Sequence, residues 1–403
     1  MNEWRGLGDL VALAVDRVTD PVEGMHRVIL DRSLRWTGSV GAPVRQASDV
    51  FIASIYRLIR ATGPAVGAAV GLGVRKAVGG GQIGMFSRHP KGSRAQAIIN
   101  AVWGDELQRR GNDLRVEMGL RSPEGEVIQL LPAGLRAAFP VPTSRLVVLV
   151  HGLGQTERCW QSTGASGPDS LWRQLTSHES ATPLVVRYNT GRHVRENGDE
   201  LALLLDGLWR SWPTPIESIA LVGYSMGGLV VRSACHAGQV AGHGWVDVVD
   251  RVVTLAAPHL GVPLEKAANL VTWGLRIAPH SRPLVGLFDS RSAGIKDLRF
   301  GAVAEGERLG SGQDASLQDR VVDLPPLDTA EHHFVATVVT SNPAHPVGKL
   351  LGDLMVRTGS GTGRGWRRHI EPADVRVLGG RRHFDLLHDP RVIDQVLAWV
   401  SDA

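Results

Sequence analysis

Cysteine is nearly absent from this sequence: in 403 residues only Cys159 and Cys235 occur. Two such residues have neither the density of a disulfide scaffold nor the spacing of metal ligands, so the redox compartment stays open and a zinc site is disfavoured. Lysine is scarce as well, occurring only at 76, 91, 266, 296 and 349. The small excess of basic over acidic residues, 44 against 40, is therefore carried by arginine. No concentrated basic stripe marks a nucleic-acid binder. Long apolar runs are missing too. The longest uncharged one, 61–74 between Arg60 and Arg75, is too short to span a bilayer. The opening MNEWRGLGDL places Glu3 and Asp9 where a signal peptide would be basic and then apolar, which points to a cytoplasmic protein. Solenoid-period repeats and phosphate-cradling glycine motifs are absent, so neither a cofactor nor a metal is expected.

What is present fits a globular chain of one large core with an appendage, since 43% of residues are apolar and 21% charged. From 1 to about 110 the periodicity is helical, with Leu10, Val11, Leu13, Ala14 and Val18 on one stripe and a short helix over 95–107. The stretch 48–78 reads as an amphipathic helix followed by a Gly/Ala-rich one. It either packs on the main domain or touches a membrane surface or lipid peripherally. Residues 113–131 read as two strands joined by the turn Ser122-Pro123-Glu124-Gly125. Beyond 144, short apolar runs at 146–150, 183–188, 219–222, 251–255, 334–340 and 375–378 alternate with helical stretches. Continuous apolar strands between helices imply a mostly parallel central sheet covered on both faces. The chain thus divides into an N-terminal helical extension, 1–110, and an α/β domain, 111–403.

Open parallel sheets place their sites in the loops after the strands. The strongest signal there is Gly223-Tyr224-Ser225-Met226-Gly227-Gly228, which follows the apolar run 219–222 and precedes the helical LVVRSACHAG. A strand that turns abruptly into a helix thrusts the turn side chain outward, and the residues two positions away must lack Cβ for the two elements to approach. Gly223 and Gly227 meet that need, which makes Ser225 the candidate nucleophile. A serine hydroxyl needs a base to take its proton and donors to hold the oxyanion that its attack creates. The loop His151-Gly152-Leu153-Gly154 follows the run 146–150, so the amides of Leu153 and Met226 are the candidate oxyanion hole, with His151 bracing the loop. Chain order then places the acid and the histidine further on. Asp353 is the only acidic residue between the strand at 334–340 and Glu371. Among fifteen histidines, His383 follows the last strand by a short glycine-containing loop and precedes the terminal helix over 389–400. His388, beside Asp389-Pro390, is its rival.

HGLGQ (151–155), RYNTG (187–191), GYSMGGLVVRS (223–233), LAAPHLGVPLEK (255–266), GDLMV (352–356) and HFDLLHDPRV (383–392), in that order, resemble the α/β-hydrolase superfamily. Within it the chain is similar to bacterial esterases and lipases grouped with GPI inositol-deacylase-like and triacylglycerol-lipase-like proteins. The resemblance covers about 113–403 and extends weakly into 1–110. It implies the α/β-hydrolase fold and a serine hydrolase of carboxylic esters acting through an acyl-enzyme, with Ser225 as nucleophile, His383 as base and Asp353 as its orienting partner. Tyr224 departs from the pattern, since relatives more often carry histidine there, which bears on the shape of the acyl pocket.

Between Pro258-His259-Leu260-Gly261 and the strand at 334 lie about seventy residues that a parallel sheet does not need. Loops of this length are usually functional. A helix through Leu264, Val271, Trp273 and Leu275 reads as a lid within a cap insertion at about 260–330. The substrate implied is a small-molecule or lipid ester. Two other classes fit the same motifs: an acyltransferase using the same three residues, and a catalytically silent scaffold that works through its N-terminal helices.

Overall fold

The computed structural model describes residues 89–161, 170–177, 180–262, 292–301, 324–365 and 369–401, with Gly6, Asp9 and Ser87 besides. The helical stretches expected at 10–18 and 48–78, and the lid helix expected at 264–275, lie outside the described residues.

Seven strands form one sheet: β1 Gly119–Arg121, β2 Arg145–Val150, β3 Thr182–Arg187, β4 Ser218–Tyr224, β5 Val249–Leu255, β6 Glu331–Val338 and β7 Asp374–Gly379. Their order is β1-β3-β2-β4-β5-β6-β7, parallel throughout except for the antiparallel pairing of β1 with β3 at one edge. The described helices are α1 Pro90–Arg109, α2 Pro132–Ala138, α3 Leu171–Ser177, α4 Val194–Ser211, α5 Met226–Ala241, α6 Ala293–Phe300, α7 Pro346–Leu351, α8 Thr358–Gly361 and α9 Pro390–Ser401.

Why the central strands are almost uninterrupted Val, Leu and Ile is explained by the period of two along a strand. In β2, Leu146, Val148 and Val150 enter one core, while Val147 and Leu149 enter the core on the opposite face. The first core is closed by Leu201, Leu205 and Leu208 of α4 and Leu229, Val230 and Val231 of α5. The second is closed by Leu171 and Leu175 of α3 and by Val392, Ile393, Val396 and Val400 of α9. Both faces must be apolar because both are covered. This three-layer order bears out the fold read from the sequence. Helix α1 joins the first core through Val102, Trp103 and Leu107, so the end of the sequence-defined extension shares the hydrophobic core of the α/β domain.

Two elements differ from their reading. The expected hairpin at 113–131 has one three-residue strand, and its return arm contributes a single bridge, Arg121 to Val127. Beyond that bridge, no described strand extends the sheet past β1. Val127 is accordingly exposed, and Pro132 at the start of α2 ends the segment. Strand β6 stops at Val338 rather than at 340, because the next amide, that of Val339, donates to the Gly352 carbonyl and the chain leaves the sheet there.

Candidate active site

The carboxyl ends of β2, β4, β6 and β7 lie along one edge of the sheet, with β5 between β4 and β6, and each feeds one loop of the site. Ser225 sits between β4 and α5 with φ 52° and ψ −121°, a region that a residue with a Cβ avoids unless its surroundings hold it there. Two backbone bonds do so: the Ser225 amide donates to the Leu255 carbonyl at 2.8 Å, and the Gly228 amide donates to the Ser225 carbonyl at 3.0 Å. The flanking glycines are sterically required. A Cβ on Gly223 would lie 2.5 Å from Gly228 Cα, and one on Gly227 would lie 2.2 Å from the Val150 carbonyl oxygen.

The structure brings the three side chains singled out from the sequence into one line. His383 Nε2 lies 2.9 Å from Ser225 Oγ, and His383 Nδ1 lies 2.7 Å from Asp353 Oδ2. All three residues are almost wholly buried. The other oxygen of Asp353 accepts from the Met355 and Val356 amides at 2.9 and 2.7 Å, so both carboxylate oxygens are engaged and the group is held in orientation. The turn that delivers Asp353 starts at Gly352, where φ is 62° and a Cβ would come 1.8 Å from the Val356 carbonyl. The rival, His388, stands at the far end of the 3-10 helix His383–His388 with its Nδ1 buried and unpartnered, and it makes no hydrogen bond with Ser225 among the described residues.

Of the two proposed oxyanion donors, Met226 is the first residue of α5 and Leu153 lies in the loop after β2. Neither amide has an acceptor among the described residues, whereas the neighbouring Gly152 and Gly154 amides donate to Gln155 Oε1 and Thr190 Oγ1. His151 is fully buried, stacked on Tyr188 at 4.5 Å between ring centroids, with Nδ1 2.9 Å from the Gly152 carbonyl. Burial pushes its imidazole down to about 4, so it is neutral at pH 7 and braces the loop. Cysteine offers no competing nucleophile: both thiols are free, and burial raises Cys235 to about 12 and Cys159 well above its ordinary value.

One contact was not visible in the sequence. The Tyr224 hydroxyl donates to the His383 carbonyl at 3.0 Å, and its ring lies 5.3 Å from the imidazole. The residue before Ser225 therefore holds the main chain of His383. The only hint was the tyrosine where relatives more often carry histidine. Part of the insertion at 260–330 also reaches the site, since a Cβ on Gly294 of α6 would lie 3.0 Å from the Met226 side chain.

A strained serine between a central parallel strand and a helix, within this strand order, decides the fold. The chain has the α/β-hydrolase fold. Residues 142–287 of the chain match the model of a family described as "Putative serine esterase (DUF676)". Among solved structures, the lipase BlEst2 of Bacillus licheniformis in mature form is 18% identical, over 64% of this chain and 91% of that one, with a TM-score of 0.41. A hyperthermophilic esterase from the archaeon Pyrobaculum calidifontis is 16% identical over 82% and 96% of the two chains, with a TM-score of 0.38. The RedJ thioesterase of Streptomyces coelicolor is 16% identical over 66% and 92%, with a TM-score of 0.37. No curated protein matches the hydrolase in sequence.

Proposed function

We propose that this hydrolase cleaves carboxylic esters through an acyl-enzyme on Ser225. The observation that carries the reading is the continuous line from Ser225 Oγ through the His383 ring to Asp353, at 2.9 and 2.7 Å. The Ser225 proton passes to His383 Nε2 as Oγ bonds to the ester carbonyl carbon. The Leu153 and Met226 amides hold the resulting oxyanion, and Asp353 keeps the proton on Nδ1 so that Nε2 is free to accept. Collapse of this intermediate breaks the bond to the alcohol, which leaves with the proton from Nε2. Water then repeats the sequence on the acyl-serine, returning the hydroxyl and releasing the acid. A buried site suits the oxyanion donors, since their hydrogen bonds are worth more where water is excluded.

Thioesters and alcohol acceptors are open to the same chemistry, so the test names its products. Wild-type hydrolase is expected to react with a fluorophosphonate at Ser225 and to release free acid from p-nitrophenyl esters. Ser225→Ala lowers turnover by several powers of ten. Retention of most activity in a folded Ser225→Ala protein would remove the serine from its role. Transfer of the acyl group to an added alcohol in preference to water would reassign the activity to an acyltransferase, and a wild type that takes no label would leave a silent scaffold.

A further inference from the structure

Four of the nine large apolar side chains exposed among the described residues fall within eight positions of the loop that carries Asp353: Val347 (49% exposed), Leu350 (64%), Leu351 (37%) and Leu354 (43%). Their spacing is i, i+3, i+4, i+7, which in a helix ordinarily marks the face packed on the core. Here that face is turned outward. The residue of α7 that packs inward is Gly348, where a Cβ would come 2.0 Å from Oγ1 of Thr340, just beyond β6. Leu354 is driven outward by a left-handed backbone, φ 78°, at the tip of the turn that Asp353 holds through the next two amides.

Within the segment itself the exposed charges are of one sign. Between 341 and 357 the exposed charged residues are Lys349 and Arg357, and the only carboxylate, Asp353, is buried against His383. The adjoining loop, tied on by the bond from the His383 amide to the Asp353 carbonyl, adds the exposed Arg382. The exposed Asp385 on that loop accepts from the Arg382 amide. An apolar stripe with cations beside it is what a surface of anionic phospholipid takes up, the aliphatic side chains entering the acyl boundary and the cations meeting the head groups. No described helix is long and apolar enough to cross a membrane, so the contact is with the surface.

We propose that residues 345–357 dock the hydrolase on an anionic lipid surface, setting the segment that carries Asp353 against the layer from which its ester is drawn. The docking stands on the patch alone. The source of the ester rests on the reading of Ser225 given above. The two are separated by measuring vesicle binding of the full chain without turnover, and fluorophosphonate labelling in parallel.

Wild type is expected to bind phosphatidylcholine vesicles containing roughly one third phosphatidylserine about tenfold more tightly than pure phosphatidylcholine, with the difference lost in about 0.5 M NaCl. The double variant V347E/L350E places charge on two exposed positions and is expected to bind at least about tenfold more weakly. Its circular dichroism melt and its labelling at Ser225 report that it is folded. A folded double variant that binds the mixed vesicles like wild type overturns the proposal, as does a wild type that binds neither vesicle. A concentration-dependent dimer that the double variant abolishes, without vesicle binding, overturns it in favour of a second copy of this chain.

Discussion

At the scale of single residues, His383 is held from three directions: Asp353 at Nδ1, Ser225 at Nε2 and the Tyr224 hydroxyl at the His383 carbonyl. A buried hydrogen bond of this kind is worth about 1 kcal/mol. Tyr224→Phe keeps the ring and removes only the hydroxyl. It is expected to lower kcat on a p-nitrophenyl ester about tenfold with KM within about twofold. A lowered melting temperature with kcat intact would reduce Tyr224 to a packing residue. That Ser225, Asp353 and His383 would meet was legible because each is punctuated locally: Ser225 by glycines on both sides, Asp353 by the lack of another acid in its segment, His383 by its place after the last strand. The tyrosine contact was not legible, since it joins positions 224 and 383 through a backbone atom that no sequence pattern encodes.

Among elements, the joint between β4 and α5 carries the most constraint. Helix α5 begins so close to β2 that Gly227 rests against the Val150 and His151 carbonyls, where a Cβ would stand at 2.2 and 2.6 Å. Both neighbours are backbone and cannot swing aside. Gly227→Ala is therefore expected to cost about 2 kcal/mol or more and to slow fluorophosphonate labelling, because the helix must retreat and carry the Met226 amide with it. An unchanged melt and labelling rate would show that the joint has slack. The parallel strands were legible for a physical reason: burial on both faces forces runs such as Leu146 to Val150 to be apolar throughout. The edge was not, because 113–131 has the alternation of a hairpin while its pairing depends on whether a neighbour exists to take the second arm. Helix α7 was not read from the sequence at all, and it turns to water an apolar spacing that in a helix ordinarily marks a packed face.

For the molecule as a whole, two buried histidines set an acid limit. Burial, the larger cause in each, holds His151 and His332 down to about 4, and His332 Nε2 must stay unprotonated to accept from the Leu327 amide at 2.9 Å. Unfolded, the same rings protonate near 6.5. Unfolding therefore takes up protons between these values, so the stability these rings contribute is complete above about pH 6.5 and is lost as pH falls toward about 4. The loss is on the order of 5 kcal/mol for the pair. Urea denaturation at about pH 7.5, 5.5 and 4.5 measures it. A flat profile would mean that the rings are protonated in the folded protein.

The clamp on Ser225 has a consequence for the history of such a chain. Its amide is tied to Leu255 in the sheet and its helix rests against Val150, so the position of the hydroxyl is registered by the strands themselves. The loops beyond the strand ends are thereby released to diverge. Insertions, deletions or wholesale exchange of such loops can tune which molecules are admitted while the geometry set by the strands is inherited intact.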